Sequence, residues 1–248
     1  MPLTLKFGRS HWSASWFMTV LTAAGVALFI ALGRWQWHRA DEKRALATQF
    51  AAGAGAIVDL DRHPAGVLPR YAQVRARGRY DGAHQFLLDN MSDQGAPGYE
   101  VLTPLELADG RTVMVNRGWV PLSISRQHLP DVGLSSSEVH TGVQTVVGKL
   151  DNLPVAGIAL GHLAPAAGPR WPKLTSFPTM TDLSAALGRP LQPSQLLLNA
   201  DQPLGYVRDW WPTGFGPERN LSYAFQWWGF AALALVLYGA LNRDKAQR

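Results

Sequence analysis

Three short stretches of this 248-residue sequence combine amide, guanidinium and aromatic side chains at spacings that could support binding. In "LGRWQWHR", Gln36 and Arg39 stand one helical turn apart at the end of an apolar segment. In "NLSYAFQWW", Asn220, Tyr223 and Trp227 share one helical stripe where a second apolar segment begins. Aromatic anchoring at a membrane surface, with a snorkelling arginine, is the alternative interpretation for each of them.

Gln226 lies beside the second stripe, about one helical turn inside the apolar segment. A neutral amide at that depth needs a hydrogen-bond partner, because lipid supplies none. We expect Gln36 on the first segment to be that partner.

The third stretch is "NRGWVP", from Asn116 to Pro121, and it follows the strand-like run "RTVMV". Gly118 can adopt a positive φ, and Pro121 cannot continue a strand ladder. Turn chemistry alone therefore explains part of this corner, and the roles of its Arg and Trp depend on the rest of the chain.

The composition excludes several kinds of chemistry. The absence of cysteine rules out disulfides, zinc–thiolate sites, iron–sulfur clusters and thiol catalysis. "GAGAIV" and "GVQTVVGKL" depart from the nucleotide-binding loops that they imitate, and no nucleophile elbow or H-E-x-x-H motif occurs. The seven histidines are dispersed, which favours surface positions over metal ligation. We predict that the protein is not an enzyme.

The net charge of +5 is spread along the chain, and its densest group stands beside an apolar segment. This distribution favours a bilayer surface over a nucleic acid as the partner.

Two charge-free apolar segments must position these groups. The first has its core from Trp16 to Leu32 and the second from Tyr223 to Leu241, and aromatic residues mark the ends of both. About 20 apolar residues span a bilayer as a helix. The first segment has a cleaved signal peptide as its alternative, but its length and its continuing helical pattern favour a retained span. Its stripe of Ala23, Ala27 and Ala31 could pack on the second helix, or could reflect the commonness of alanine.

Between the segments, runs of alternating polarity predict a mainly antiparallel, barrel-like β domain. "DLSAALG" predicts one short helix with an Asp182 N-cap and Gly188 at its end. The strand-like runs are "AQVRARGRY", "HQFLLDN", "GYEVLTPLEL", "RTVMVNRGWV", "TGVQTVVGKL", "SQLLLNA" and "LGYVRDWW".

The predicted organisation is an α+β membrane protein with two transmembrane helices flanking the β domain. The basic residues beside the spans, five in the tails and six on the loop flanks, do not settle the orientation, but a loop this long counts little in the positive-inside rule, so we expect cytoplasmic tails. The predicted boundaries are a cytoplasmic tail over 1–14, a transmembrane helix over 15–33, a periplasmic β-rich domain over 34–219, a second transmembrane helix over 220–241 and a cytoplasmic tail over 242–248.

Three motifs resemble the Surfeit locus protein 1 family of cytochrome c oxidase assembly factors. They are "LGRWQWHRADEK", "PGYEVLTPLELADGRTVMVNRGWVP" and "PERNLSYAFQWWGFA", in the family's order and at both ends of the chain. The resemblance implies a multi-pass protein of the bacterial inner membrane that promotes maturation of the oxidase core subunit, with haem a as a possible cofactor. Implied partners are that subunit, haem a synthesis or other assembly proteins, and the lipid bilayer. A haem-free structural membrane adaptor and an anchored periplasmic enzyme are the alternatives.

The resemblance also suggests a site near the membrane. We expect "NRGWVP" to face the two helix ends, where Arg117 meets a haem propionate or an acidic partner and Trp119 packs on porphyrin or lipid. The alternative is that Arg117 pairs with a structural carboxylate. The candidate cofactor-binding residues are Trp35, Gln36, Arg39, Arg117, Trp119, Asn220, Tyr223, Gln226 and Trp227.

One position departs from the family. Its members commonly carry His in the slot that is Asn220 here, and an amide does not replace an imidazole as an axial ligand of haem iron. His38, near the outer end of the first helix, is the substitute metal ligand that we consider. We expect weak haem a binding, or binding through another residue.

Overall fold

The structure is a computed structural model that describes residues 2–7, 10–53, 55–122, 129–134, 142–155, 162–212 and 216–244. Contacts divide the chain into two units, which we describe one at a time. The helical unit comprises Met1–Thr48 and Trp211–Arg248, and the β unit comprises Gln49–Trp210. Residues 1, 8, 9 and 245–248 of the predicted tails lie outside the described residues.

Three α-helices and eleven strands follow one another along the described chain, with a short 3-10 helix at Ala65–Val67. They are β1 (Pro2–Phe7), β2 (Ser10–Ser15), α1 (Trp16–Ala52), β3 (Val58–Asp59), β4 (Gln73–Tyr80), β5 (Phe86–Asp93), β6 (Ala96–Leu107), β7 (Thr112–Pro121), β8 (Gln144–Asp151), β9 (Lys173–Thr175), α2 (Met180–Leu187), β10 (Gln195–Leu198), α3 (Pro217–Leu241) and β11 (Arg243–Asp244).

The helical unit contains α1 as far as Thr48 and the whole of α3, the two helices that are long and apolar enough to cross a membrane. The mean hydropathy of their most apolar windows is 2.0 and 1.5, and few of those residues are buried within the unit. Pro217 starts α3 at a position where its missing N–H costs nothing. The first helix runs to Ala52, well past the expected end of the span, because no proline or glycine interrupts residues 34–52.

The two helices form an antiparallel pair, since Thr19 on α1 meets Tyr238 near the end of α3 while Gln36 meets Asn220 near its start. Less exposed positions recur in alternating steps of three and four residues, which is the spacing of a coiled-coil seam. The seam consists of Thr19, Thr22, Val26, Phe29, Gly33, Gln36 and Ala40 on α1, and of Asn220, Ala224, Trp227, Ala231, Ala234 and Tyr238 on α3.

The packing of small residues differs from the expected one. Ala23, Ala27 and Ala31 are exposed, so the idea that this stripe packs on the second helix is wrong. The buried small residue on α1 is Gly33, where an added Cβ would overlap the indole of Trp228. The seam follows a heptad, and its phase turns the alanine stripe outward.

The β unit is an eight-stranded sheet of order β3-β4-β8-β10-β7-β6-β5-β9, with an additional β4–β6 pairing through Gly78–Tyr80. The pairings β3–β4, β7–β10 and β5–β9 are parallel, whereas β4–β8, β8–β10, β6–β7, β5–β6 and β4–β6 are antiparallel. The described sheet is therefore mixed, with five antiparallel and three short parallel pairings, so it is mainly antiparallel as expected, and its barrel-like character stays a prediction. Short strands such as β3 and β9 lack the alternating pattern that predicts longer ones.

The core of the β unit lies around the central strands. All four residues of β10 and nearly all of β7 are buried, because both strands have neighbours on each side and are covered on both faces. In β4, by contrast, burial alternates as the sequence pattern predicts. The largest apolar cluster includes Leu60, Val74, Leu105, Val115, Leu150 and Leu196.

Two local predictions need correction. "LGYVRDWW" is not a strand, although Val207 forms an isolated bridge with Trp119. The short helix begins at Met180, and its N-cap is Thr179 rather than Asp182. Asp182 is the third residue of the helix and completes a capping box with Thr179. Gly188 ends that helix in the left-handed conformation, as expected. Thr141, at the start of one predicted strand, lies outside the described residues.

Candidate functional site

The "NRGWVP" corner forms the second half of β7, which stays paired with β6 through Pro121, so Pro121 ends the strand rather than starting a turn. Arg117 and Trp119 exchange backbone hydrogen bonds with Tyr206 and Val207, at N···O distances of 2.7 to 3.2 Å. Gly118 between them has a φ of +111°, and an added Cβ would crowd the Val207 carbonyl and the Arg208 side chain. Glycine is therefore required here both by backbone conformation and by the close approach of the 204–208 segment.

Arg117 is buried within the β unit and is only 3% exposed. Its Nε donates to the Leu204 carbonyl at 2.6 Å, and Nη1 donates to Gln85 Oε1 at 3.0 Å. Longer contacts of 3.4 and 3.3 Å join Nη1 to Thr103 Oγ1 and to the Val132 carbonyl.

The acceptors of the Arg117 hydrogen bonds described here are neutral, so the structure does not show the alternative of a structural carboxylate pair. The Tyr206 ring lies 4.9 Å from the guanidinium carbon, which adds a cation–π contact. Burial lowers the pKa of Arg117 from its ordinary value, but an arginine keeps its charge. Contact of Arg117 with a propionate or an acidic partner stays a prediction.

Asn116 is also buried, and it forms hydrogen bonds with the half-buried Glu100 and with Gln195. Its Nδ2 donates to Glu100 Oε2 at 2.6 Å and to Gln195 Oε1 at 3.2 Å, and its Oδ1 accepts from the Gly118 N–H. Burial raises the pKa of Glu100, and the hydrogen bond from Asn116 partly offsets that rise. The corner thus brings together a buried cationic side chain, Arg117, and a half-buried acidic one, Glu100, within the β unit.

Trp119 is half-buried and packs over Gly98 of the neighbouring strand. Its indole Nε1 is buried and has no hydrogen-bond partner among the described residues. An indole N–H in this state normally finds a partner. The contact of Trp119 with porphyrin or lipid stays a prediction.

In the helical unit, the outer ends of α1 and α3 are joined by an amide pair. Asn220 Nδ2 donates to Gln36 Oε1 at 2.6 Å. The expected pairing of Gln36 with Gln226 is therefore wrong. Gln226 lies six residues further along α3 and is exposed, because the seam phase turns it away from α1.

The predicted aromatic residues divide into seam and surface positions. Trp227 stacks on Phe29 of the other helix, with ring centroids 5.8 Å apart. Trp35 and Tyr223 lie outside the seam and are 56% and 40% exposed. The neighbouring Trp228 stacks on Trp37 at 5.8 Å, and sequence reasoning did not single it out as part of the helix contact.

His38 and Arg39 extend beyond the amide pair on exposed positions of α1. Arg39 Nη1 lies 2.7 Å from Glu42 Oε2, and His38 Nε2 lies 3.4 Å from the other oxygen of the same carboxylate. The His38 side chain is 75% exposed. Within the described ranges, no group of three His, Cys, Asp or Glu side chains could hold a metal ion.

The seam residues do not fit a haem held between the helices. The Gln36–Asn220 hydrogen bond and the Trp228 indole against Gly33 fill the space that a porphyrin would need. Asn220 has no imidazole, and its amide is already used. His38, the proposed substitute, points away from the seam toward Glu42. The contact between α1 and α3 therefore offers no haem site.

Some site residues could have been found from the sequence. Glu100 stands in an apolar strand on the same side as Leu102, which is a signal for a buried carboxylate. Gln85 and Tyr206, which surround Arg117, carry no such signal because they are distant in the chain. The structure describes the corner and the helix-end residues in separate units.

Two apolar helices with polar pairs at both ends, together with a folded β unit, are consistent with a membrane protein that carries an additional domain. The chain belongs to the SURF1 family, which matches residues 23–232 and therefore most of the chain. This family is associated with cytochrome c oxidase assembly. A comparison with curated proteins gives no match.

Proposed function

We propose that the protein is an accessory factor for cytochrome c oxidase biogenesis in the bacterial inner membrane. It acts on the maturation of the oxidase core subunit, and it does so without catalysing a reaction of its own. The observation that carries the proposal is the family match, which extends from α1 through the whole β unit into α3.

The proposed topology has α1 and α3 crossing the membrane, the β unit in the periplasm and both tails in the cytoplasm. Exposed apolar side chains along both helices support it, since Phe17, Leu28, Phe230 and Val236 would meet lipid rather than water. The Thr19–Tyr238 and Gln36–Asn220 hydrogen bonds support it as well, because polar contacts hold membrane helices together.

Two modes of action follow, and the filled seam favours the second. In the first, the protein delivers or shelters haem a, through exposed residues such as Trp35, Tyr223 and His38. In the second, it is a haem-free adaptor that holds assembly proteins together. A seam closed by Gln36, Asn220 and Trp228 leaves the helix pair itself without room for a porphyrin.

The general function is tested by deleting the gene and restoring it on a plasmid. We expect membranes of the deletion strain to lose the visible haem a absorption of the oxidase and most of its activity, and the plasmid to restore both. Normal levels of assembled oxidase in the deletion strain would refute the proposal.

The two modes are separated by visible spectra of the protein purified from cells that make haem a. The adaptor mode predicts no Soret band for the native chain, and Asn220→His then tests whether the family's ligand slot can create one. The haem mode predicts a Soret band that shifts in Asn220→His, or that disappears in His38→Ala. A stoichiometric band that neither substitution changes would place the ligand elsewhere.

A further inference from the structure

Arg117 and Arg208 bring two guanidinium groups to the same corner of the β unit. Arg208 packs against Gly118, the residue next to Arg117, where an added Cβ would lie 2.7 Å from Arg208 Cγ. The nitrogens of Arg208 donate to four backbone carbonyls of residues 199–206, at distances of 2.6 to 3.1 Å. The acceptors of the Arg117 hydrogen bonds are neutral as well. Two positive charges therefore lie close together without a negative acceptor.

The part of the chain that the structure describes does not balance these charges by contact. No described carboxylate forms an ion pair with either arginine, and Asp201 acts on Arg208 through its charge without a hydrogen bond. Arg117 is only 3% exposed. Burial, and to a smaller extent the charge of Arg208, lowers the pKa of Arg117. A buried cation is unfavourable unless an opposite charge accompanies it, so this corner calls for an anion.

The Tyr80 hydroxyl is a third polar group at the same corner. Tyr80 pairs with Leu105 across β4 and β6, and Arg117 reaches Thr103, two residues earlier on the same face of β6. Tyr80 is only 5% exposed, and its hydroxyl has no hydrogen-bond partner among the described residues. A buried phenol normally donates its O–H to an acceptor. Burial raises the pKa of Tyr80, and the charges of Arg117 and Arg208 oppose that rise, so both cations act on the hydroxyl.

We propose that Tyr80, Arg117 and Arg208 bind a chloride ion. The hydroxyl and the guanidiniums can donate hydrogen bonds to it, and its charge balances the buried cation. The hydrogen bonds of Arg117 described above use Nε and Nη1, so we assign Nη2 to the ion. The burial of Tyr80 and Arg117 favours a small ion over the acidic side chain of a partner, and the half-buried Arg208 lets such an ion exchange with solvent. The site lies within the β unit and does not depend on the function proposed above.

Chloride binding is tested by thermal unfolding of the purified full-length protein in detergent. Sodium chloride replaces sodium gluconate stepwise at constant ionic strength, so that charge screening does not change. We expect the unfolding temperature to rise by several degrees and then to saturate, because the ion binds the folded chain. Bromide should give the same rise. Broadening of the chloride NMR line by the native protein, reversed by bromide, measures binding without unfolding.

Tyr80→Phe tests the site itself, because it keeps the buried ring and removes only the hydroxyl. We expect the chloride concentration at half of the effect to rise several-fold, while the unfolding temperature in gluconate does not fall, since an unsatisfied hydroxyl is lost. The matched control is Tyr71→Phe, because Tyr71 is also fully buried with no described partner for its hydroxyl. Its neighbour Arg70 already pairs with Asp151, so the control should keep the native chloride response.

Three results would overturn the proposal. Equal unfolding temperatures in chloride and gluconate, with no broadening of the chloride line, would mean that the buried charge needs no ion. An unchanged chloride response in Tyr80→Phe would place the ion elsewhere in the protein. A response weakened equally in Tyr80→Phe and Tyr71→Phe would reflect the loss of any buried hydroxyl rather than a site at this corner.

Discussion

Arg117 is a charged residue whose known contacts are all internal. Removing its side chain takes the donor from the Leu204 carbonyl and one of two donors from Gln85 Oε1, which keeps its hydrogen bond from Thr103, and it empties a buried site, so Arg117→Ala should destabilise the β unit by about 3 kcal/mol. Arg117→Lys should recover little, since an ammonium cannot reproduce the fork of donors. Thermal unfolding of the purified protein, with immunoblots of membranes, measures both effects.

The matched control for Arg117 is Arg77→Ala, because Arg77 is exposed on β4. A surface change of this kind should alter stability by no more than about 0.5 kcal/mol. If Arg117→Ala instead keeps native stability and protein level while oxidase activity falls, the guanidinium serves a partner directly.

Glu100 makes stability depend on pH. Burial raises its folded pKa above the ordinary value of 4.5, so its contribution to stability is complete below that value and is lost as pH rises through the raised pKa. Glu100→Gln keeps an acceptor for Asn116 and removes the titration. We expect the variant to unfold at a higher temperature than the native chain at pH 8, and at a similar temperature at pH 4.

The reverse result, a Glu100→Gln chain less stable at pH 8 than the native one, would mean that the ionised carboxylate is the form the fold requires.

At the residue scale, sequence reasoning named Arg117 and Asn116 but not their surroundings. Gln85 and Tyr206 reach the corner from distant parts of the chain, and spacing along a sequence does not encode such meetings.

At the scale of secondary-structure elements, the hydrogen bond between α1 and α3 can be measured on its own. Gln36→Leu or Asn220→Leu alone leaves one amide without its partner in an apolar seam, whereas the double substitution removes both. A double-mutant cycle should therefore give a coupling energy of about 1 kcal/mol. Unfolding of the helical pair in detergent micelles measures it, with Gln226→Leu, outside the seam, as the control that should couple to neither.

A coupling energy near zero would contradict the hydrogen bond between Gln36 and Asn220.

The elements themselves were largely predictable, because apolar length marks α1 and α3 and alternation marks β4, β5, β6 and β7. What could not be predicted was their pairing. The parallel contacts of β7 with β10 and of β5 with β9 join residues that are 81 and 87 positions apart in the sequence.

For the whole molecule, we expect α1 to be retained and both tails to lie in the cytoplasm. The intact mass of the protein purified from membranes should include residues before Arg34, and reporter fusions to either end should be active only in the cytoplasm. A mature chain that begins at Arg34 would contradict the retained span. At this scale the sequence motifs indicated the family that the match over residues 23–232 confirms.

The two polar pairs of the helix seam also set a length that the molecule cannot adjust. Thr19 and Gln36 are 17 residues apart, or about 26 Å along α1, and Asn220 and Tyr238 are about 27 Å apart along α3. Sliding one helix past the other would break both hydrogen bonds and move Trp228 off Gly33. With both helices crossing the membrane as proposed, the pair would have to draw its polar ends into hydrocarbon in a thicker bilayer, or thin the lipid around it. The thermal stability of the protein reconstituted in lipids of graded acyl length should then peak at a hydrocarbon thickness near that spacing.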